Sequence, residues 1–226
     1  MNSSAVPMHC VRVPLWGLGW WMAALTCVAL LASCSKAPPE LQDLGVLPPF
    51  ALIDQDGNPV TDQTLQGQVW AANFLFTSCP TECPPLAKAT RKLQDLLGPT
   101  AAARKLGIVS VSVDPMTDTP EVLRAFGKKY GADHQTWKLL GGEYEAMERL
   151  VIQGFMQPII RRDRVTGMPS EHTATAEPTP LDTAHSLRFV LVDQRGHLRG
   201  LYQSDDAGLK ALHQAMLWLA DHPPNP

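Results

Sequence analysis

The stretch from Gln68 to Pro84, QVWAANFLFTSCPTECP, decides the architecture. Gln68–Phe76 is a continuous apolar run, which reads as a strand buried on both faces. Thr77–Pro85 follows as a turn carrying two cysteines. Leu86, Leu93, Leu96 and Leu97 then recur at helical spacing until Gly98-Pro99 stops the helix. A second strand and helix follow downstream. Leu106–Val113 is a second buried strand, ended by Asp114-Pro115. Thr119 is placed as an N-cap with Pro120 at the first helical position, and the helix they open runs to about Tyr130 and Gly131.

On the N-terminal side, Phe50–Asp54 is a short apolar strand and Asp56-Gly57-Asn58-Pro59 a turn. On the other side, Trp137–Leu140 is a short strand, Glu143–Gln153 a helix, and Pro158–Thr183 an irregular stretch long enough to suggest a functional loop. Ser186–Val192 is a strand, Asp193–Gly196 a hairpin turn, Leu198–Tyr202 the returning strand, and Leu209–Ala220 a closing helix. The order βαβα, then a hairpin and a last helix, predicts an α/β fold, a mixed central sheet with helices on both faces.

The composition limits the possible functions. Of 226 residues, 45% are hydrophobic and 18% charged, an ordinary globular balance that excludes a disordered or collagen-like chain. Nineteen Lys and Arg against 22 Asp and Glu give a net charge of −3, with no strongly basic run, so nucleic acid is excluded as an expected partner.

The N-terminus reads as an address. Val13–Ser33 holds 21 residues without a charge, preceded by Arg12 and followed by Lys36. Such a run is a signal sequence or a membrane-spanning anchor. It ends in Leu31-Ala32-Ser33-Cys34, which looks like a bacterial lipobox, with Cys34 as the lipid-bearing residue. Residues 1–33 are therefore expected to be a signal peptide or anchor, 34–49 a proline-rich tether, 50–222 the folded domain and 223–226 a tail. Either reading places the domain at the extracytoplasmic, periplasmic face of a membrane.

Cysteine usage follows from this. Cys10 and Cys27 lie in the leader, so a cleaved chain keeps only Cys79 and Cys83 as free thiols. One close pair is not a disulfide framework, and so short a loop offers little cross-linking entropy. Their spacing at a helix start suggests both sulfurs on one helix face, with pKa values lowered by the helix N-terminus. Thiolates serve redox exchange and soft metals such as Cu(I) or zinc alike. Two sulfurs do not close a metal site. Of the seven histidines, His134, His197, His213 and His222 read as ordinary polar residues and His9 lies in the leader. His185, directly before the 186–192 strand, and His172, inside the long loop, are the candidate third ligands.

Three blocks resemble a known family. Phe76-Thr-Ser-Cys79-Pro-Thr-Glu-Cys83-Pro84, Ser110-Val-Ser-Val-Asp114-Pro115 with Asp118-Thr119-Pro120-Glu121, and His185-Ser186 leading into Phe189–Asp193 and Gly196 are similar to the SCO/SenC family. The resemblance implies a thioredoxin-like fold that binds one copper ion, Cu(I) or Cu(II), through Cys79, Cys83 and His185. It also implies a role in assembling the copper centre of cytochrome c oxidase, by delivering copper or by keeping the target thiols reduced. The expected partners are the copper-bearing subunit of that oxidase or another copper protein, a thiol reductant, and a membrane through the N-terminus. The chain departs from the family pattern in having Ala184 before the histidine, with Asp182 two residues earlier, and a Thr/Pro-rich 161–180 segment. The alternative is a metal-free thiol–disulfide oxidoreductase using Cys79 and Cys83. A peroxidase is disfavoured, because a second thiol so close to the first is not the arrangement of one activated cysteine.

Overall fold

The computed structural model describes residues 41–157 and 187–223. In chain order these form β1 (Ala51–Asp54), β2 (Pro59–Thr61), α1 (Asp62–Leu65), β3 (Val69–Leu75), α2 (Cys83–Leu97), α3 (Thr100–Ala103) and β4 (Leu106–Ser112). There follow α4 (Pro120–Tyr130), β5 (Trp137–Gly141), α5 (Tyr144–Glu148) running into a π-helical turn (Arg149–Gly154), β6 (Arg188–Val192), β7 (Leu198–Gln203) and α6 (Asp206–Asp221). The seven strands make one mixed sheet in the order β2-β1-β5-β4-β3-β6-β7. The three central strands, β3, β4 and β5, are parallel, while β1 and β6 pair antiparallel on either side of them.

Helices cover both faces. Val69, Ala71 and Leu75 of β3 pack under α2, α4 and α6 with Leu86, Leu93, Leu123, Phe126, Leu212 and Met216. Trp70 and Ala72 point the other way, into a second cluster with Leu65, Met147, Leu150, Val151 and Phe155. This two-sided burial is why β3 carries no alternation of polar residues. Phe155 anchors the second layer, meeting Trp70 and Phe74 edge-on at 6.0 and 5.0 Å between ring centroids.

The helix expected over Glu143–Gln153 is there, but α-helical only at its start. The Phe155 N–H bonds to the Leu150 carbonyl, an i→i−5 closure that swings Phe155 into the core. Gly154 fits because a Cβ there would lie 3.0 Å from Pro48 and 3.1 Å from Leu47. Both of those residues belong to the stretch read as tether. Part of that stretch is docked. The Gln42, Leu44 and Leu47 N–H groups donate to the Arg199, Leu198 and Gly196 carbonyls, and Val46 bridges His197. The stretch therefore covers the start of edge strand β7.

The α4 boundaries match the sequence reading. The Thr119 hydroxyl accepts from the Val122 N–H, Pro120 occupies the first turn, and Gly131 closes the helix in the left-handed region at φ 75°. Among the described residues, no helix is long and apolar enough to cross a membrane. The stretch 13–33, Cys34, His172 and His185 lie outside the described residues.

Candidate metal centre

Cys79 and Cys83 come together at the C-terminal end of β3, both as free, buried thiols. They do not share a helix face. Cys79 lies in the turn before α2, held by its N–H to the Phe76 carbonyl at 3.1 Å, while Cys83 is the first residue of the helix. The reason is local: Pro80 and the two prolines after Cys83 favour a helix that starts at Cys83, with Pro84 and Pro85 in the first turn, where no intrahelical donor is needed. The Cys79 sulfur therefore faces the unsatisfied N–H groups of the helix start. The Cys83 N–H donates to the Cys79 Sγ at 3.4 Å.

This geometry splits the two thiols, where the sequence suggested that both would be acidified. Burial is the largest influence on Cys79 and pushes its pKa up, but the N–H groups of Cys83, Thr81 and Glu82 and the Cys83 thiol together outweigh it, so the pKa falls below its ordinary value. Cys83 goes the other way. Burial pushes it up to about 12, and the Cys79 sulfur and the negative charge of Asp118 add to the rise.

Asp118 is the residue that sequence reasoning left without a role. It is 2% exposed and ties the thiol turn to the loop after β4. Its carboxylate accepts from the Thr77 N–H at 3.2 Å, the Thr77 hydroxyl at 2.6 Å and the Ser112 hydroxyl at 2.7 Å. Burial first, with the charge of Asp114, raises its pKa against those hydrogen bonds. Nothing in its spacing announced this contact, which joins residues 41 apart in sequence. Of the histidines read as ordinary, His134 pairs with Asp56, His197 with Asp43, and His222 stacks on Trp218. Among the described residues no group of three or more His, Cys, Asp or Glu side chains is placed to hold a metal ion, so the described part supplies two sulfur donors. Two adjacent soft donors, one of them stabilised as thiolate, fit a soft ion such as Cu(I) and not a hard one.

A mixed sheet with this dithiol at its first parallel strand–helix turn defines a thioredoxin-like domain. The family model described as SCO1/SenC matches residues 39–219, and the chain belongs to that family. It is similar to the SCO1 protein homolog of Bacillus subtilis (strain 168), 36% identical over 108 residues, which are 47% of this chain and 55% of that protein. The chain thus matches about half the length of this relative. Among solved structures, a SCO1/SenC family lipoprotein from Bacillus anthracis is 29% identical with a TM-score of 0.63, over 81% of this chain and 99% of that one. BsSco, described as a member of the Sco family of cytochrome c oxidase assembly proteins and as bearing a disulfide switch, is 26% identical with a TM-score of 0.61, over 80% and 97%. The copper-bound ScoI of Bradyrhizobium japonicum, 22% identical over 77% of this chain and 100% of that one, shares the fold with a TM-score of 0.60.

Proposed function

We propose that the protein binds one copper ion, Cu(I) or Cu(II), through Cys79, Cys83 and His185. It uses the ion to build the copper centre of cytochrome c oxidase, by delivering the metal or by maintaining the thiols of its recipient. The observation that carries this reading is the thiol pair at the head of α2, with Cys79 held toward thiolate by backbone N–H groups. Family membership supports it, since the family includes a copper-bound protein and one described as an oxidase assembly protein. The ion would contribute its own coordination chemistry. The chain contributes an acidified thiol, a shielded second sulfur and an imidazole from the segment before β6. The same reading puts the domain at the extracytoplasmic, periplasmic face of a membrane, with residues 1–33 as leader or anchor and Cys34 as the lipid-bearing residue. A family relative described as a lipoprotein is consistent with this.

The test is anaerobic titration of the reduced protein with Cu(I) against a competing chelator. One copper per chain is expected. Cys79→Ala or Cys83→Ala abolishes binding, and His185→Ala weakens it by about 10–100-fold, with Cu(II) affected more than Cu(I). Parental affinity in His185→Ala together with loss in His172→Ala would move the third ligand to His172. A parent that binds no copper, yet exchanges disulfides, would leave the metal-free oxidoreductase reading.

A further inference from the structure

The two sulfurs sit on different elements, Cys79 on the turn leaving β3 and Cys83 on α2. Their relative position is therefore set by how α2 docks on the sheet. That docking contains a buried chain of polar groups. The Asn73 side-chain amide, in the middle of β3, donates to the Thr90 hydroxyl on α2 at 2.8 Å, and the Thr90 hydroxyl donates to the Leu86 carbonyl at 2.8 Å. The Asn73 side-chain oxygen accepts from the Ser110 hydroxyl on β4 at 2.7 Å, and the Ser110 oxygen accepts from the Trp137 indole N–H on β5 at 2.8 Å. All four side chains are completely buried. The chain thus runs from the third central strand, through the other two, to the helix that begins at Cys83.

Apolar contacts between α2 and the sheet are non-directional and allow small slides at little cost. A buried N–H···O bond does not, because breaking it strands a polar group in a site without water. Thr90 lies two turns beyond Cys83, and Leu86 belongs to the turn that Cys83 opens. We propose that the Asn73–Thr90 hydrogen bond positions the thiol pair, fixing the first turns of α2 against β3 and so setting where the Cys83 sulfur stands relative to Cys79. This rests on the reading of the dithiol as the working site. Asn73 and Thr90 are positioning residues that act through the helix backbone. Without the Thr90 hydroxyl, the Asn73 amide and the Leu86 carbonyl both lose that partner, and the polar tie between β3 and the first turns of α2 is gone.

The test uses the full chain with four substitutions. Thr90→Val removes the hydroxyl at nearly constant volume, and Thr90→Ala removes it without steric risk. Thr90→Ser keeps the hydroxyl. Trp137→Phe breaks the far end of the chain and leaves the Asn73–Thr90 bond intact. Two quantities are read under native conditions: Cu(I) affinity by chelator competition, and the equilibrium of the Cys79–Cys83 dithiol with oxidised dithiothreitol. In that exchange the two protein thiols lose two electrons and two protons to form one S–S bond, and the reagent's disulfide takes them up. Unfolding by urea is measured alongside. Thr90→Val and Thr90→Ala are expected to shift both quantities by about tenfold or more. Thr90→Ser and Trp137→Phe are expected to stay within about twofold of the parent, although Trp137→Phe also loses stability. Parental values in folded Thr90→Val and Thr90→Ala, or an equal shift in Trp137→Phe, would overturn the proposal by making the chain a matter of stability alone. The exchange equilibrium involves no copper, so a parent that binds none would refute the copper reading and leave this test standing.

Discussion

Alkylation of the reduced protein at pH 8 should fall on Cys79 and largely spare Cys83. With a pKa of about 12, Cys83 is thiolate in roughly one molecule in 10⁴ at that pH. Cys79 is held below the ordinary 9.0. A thiol at that ordinary value would already be thiolate about 10³ times more often than Cys83. Part of this is returned, because a thiolate of higher pKa is the better nucleophile. A Brønsted slope of about 0.4–0.5 across three units gives back roughly 15–30-fold. For a thiol at the ordinary value the net preference would be about 30–60-fold, Cys79 is favoured in the same sense, and access does not reverse it, since Cys79 and Cys83 are 9% and 5% exposed. The assay is limiting iodoacetamide under anaerobic conditions, with the label placed by fragmentation mass spectrometry. Cys79→Ser should then react slowly, while Cys83→Ser keeps most of the parental rate. Equal labelling of the two sulfurs, or Cys83 first, would refute the assignment of the helix-start N–H groups to Cys79.

Cys83 ionises near 9.0 when unfolded and about 12 when folded, so in that window the unfolded state binds fewer protons and stability falls as pH rises. Urea midpoints between pH 8 and 11 check this, and Cys83→Ala should flatten the slope. Asp118→Asn sets an amide N–H against the Thr77 and Ser112 donors and should cost about 1–3 kcal/mol, read as a lowered thermal midpoint. Phe155→Ala empties the centre of the second core layer and should cost about 3–5 kcal/mol in urea unfolding. On the proposed copper site, the ion would have to displace the Cys83 proton at any pH below about 12, so apparent Cu(I) affinity should drop about tenfold per pH unit on acidification, and more steeply where Cys79 is also protonated. A chelator competition series from pH 6 to 8 measures that slope.

The parallel centre of the sheet was legible because β3 and β4 are apolar runs closed by strong punctuation, the Thr77–Pro85 turn and Asp114-Pro115, with the helix between them stopped by Gly98-Pro99. The α4 helix was legible because Thr119, Pro120 and Gly131 each fill the position their chemistry prefers. What escaped was short or tertiary. β2, α1 and α3 span three or four residues each, too few for any periodicity to register. The docking of residues 42–47 on β7 depends on backbone bonds that side-chain patterns do not report. At the site, the two cysteines and their turn were plain from spacing. Their division between a turn and a helix was not, because the i,i+4 rule assumes a helix already under way at Cys79. Asp118 escaped for a related reason: its function is a contact with Thr77, made only when the loops after β3 and β4 close on each other.

The unequal thiols also bear on the choice between metal binding and exchange. In a Cys79–Cys83 disulfide, an incoming thiolate has two sulfurs to attack. Attack on Cys79, the less buried, expels Cys83, which is a poor leaving group when its thiol ionises only at about 12. Attack on Cys83 expels the better leaving group, but the target sulfur is the more enclosed of the two. Neither route combines access with a good departure, so turnover as a disulfide catalyst is handicapped in either direction. A soft cation faces no such conflict. Cys79, the more acidic thiol, and Cys83 would hold it together, and its positive charge would offset the burial that keeps Cys83 protonated. The arrangement that slows exchange is the one in which a metal supplies what burial withholds, and this favours the copper reading of the pair.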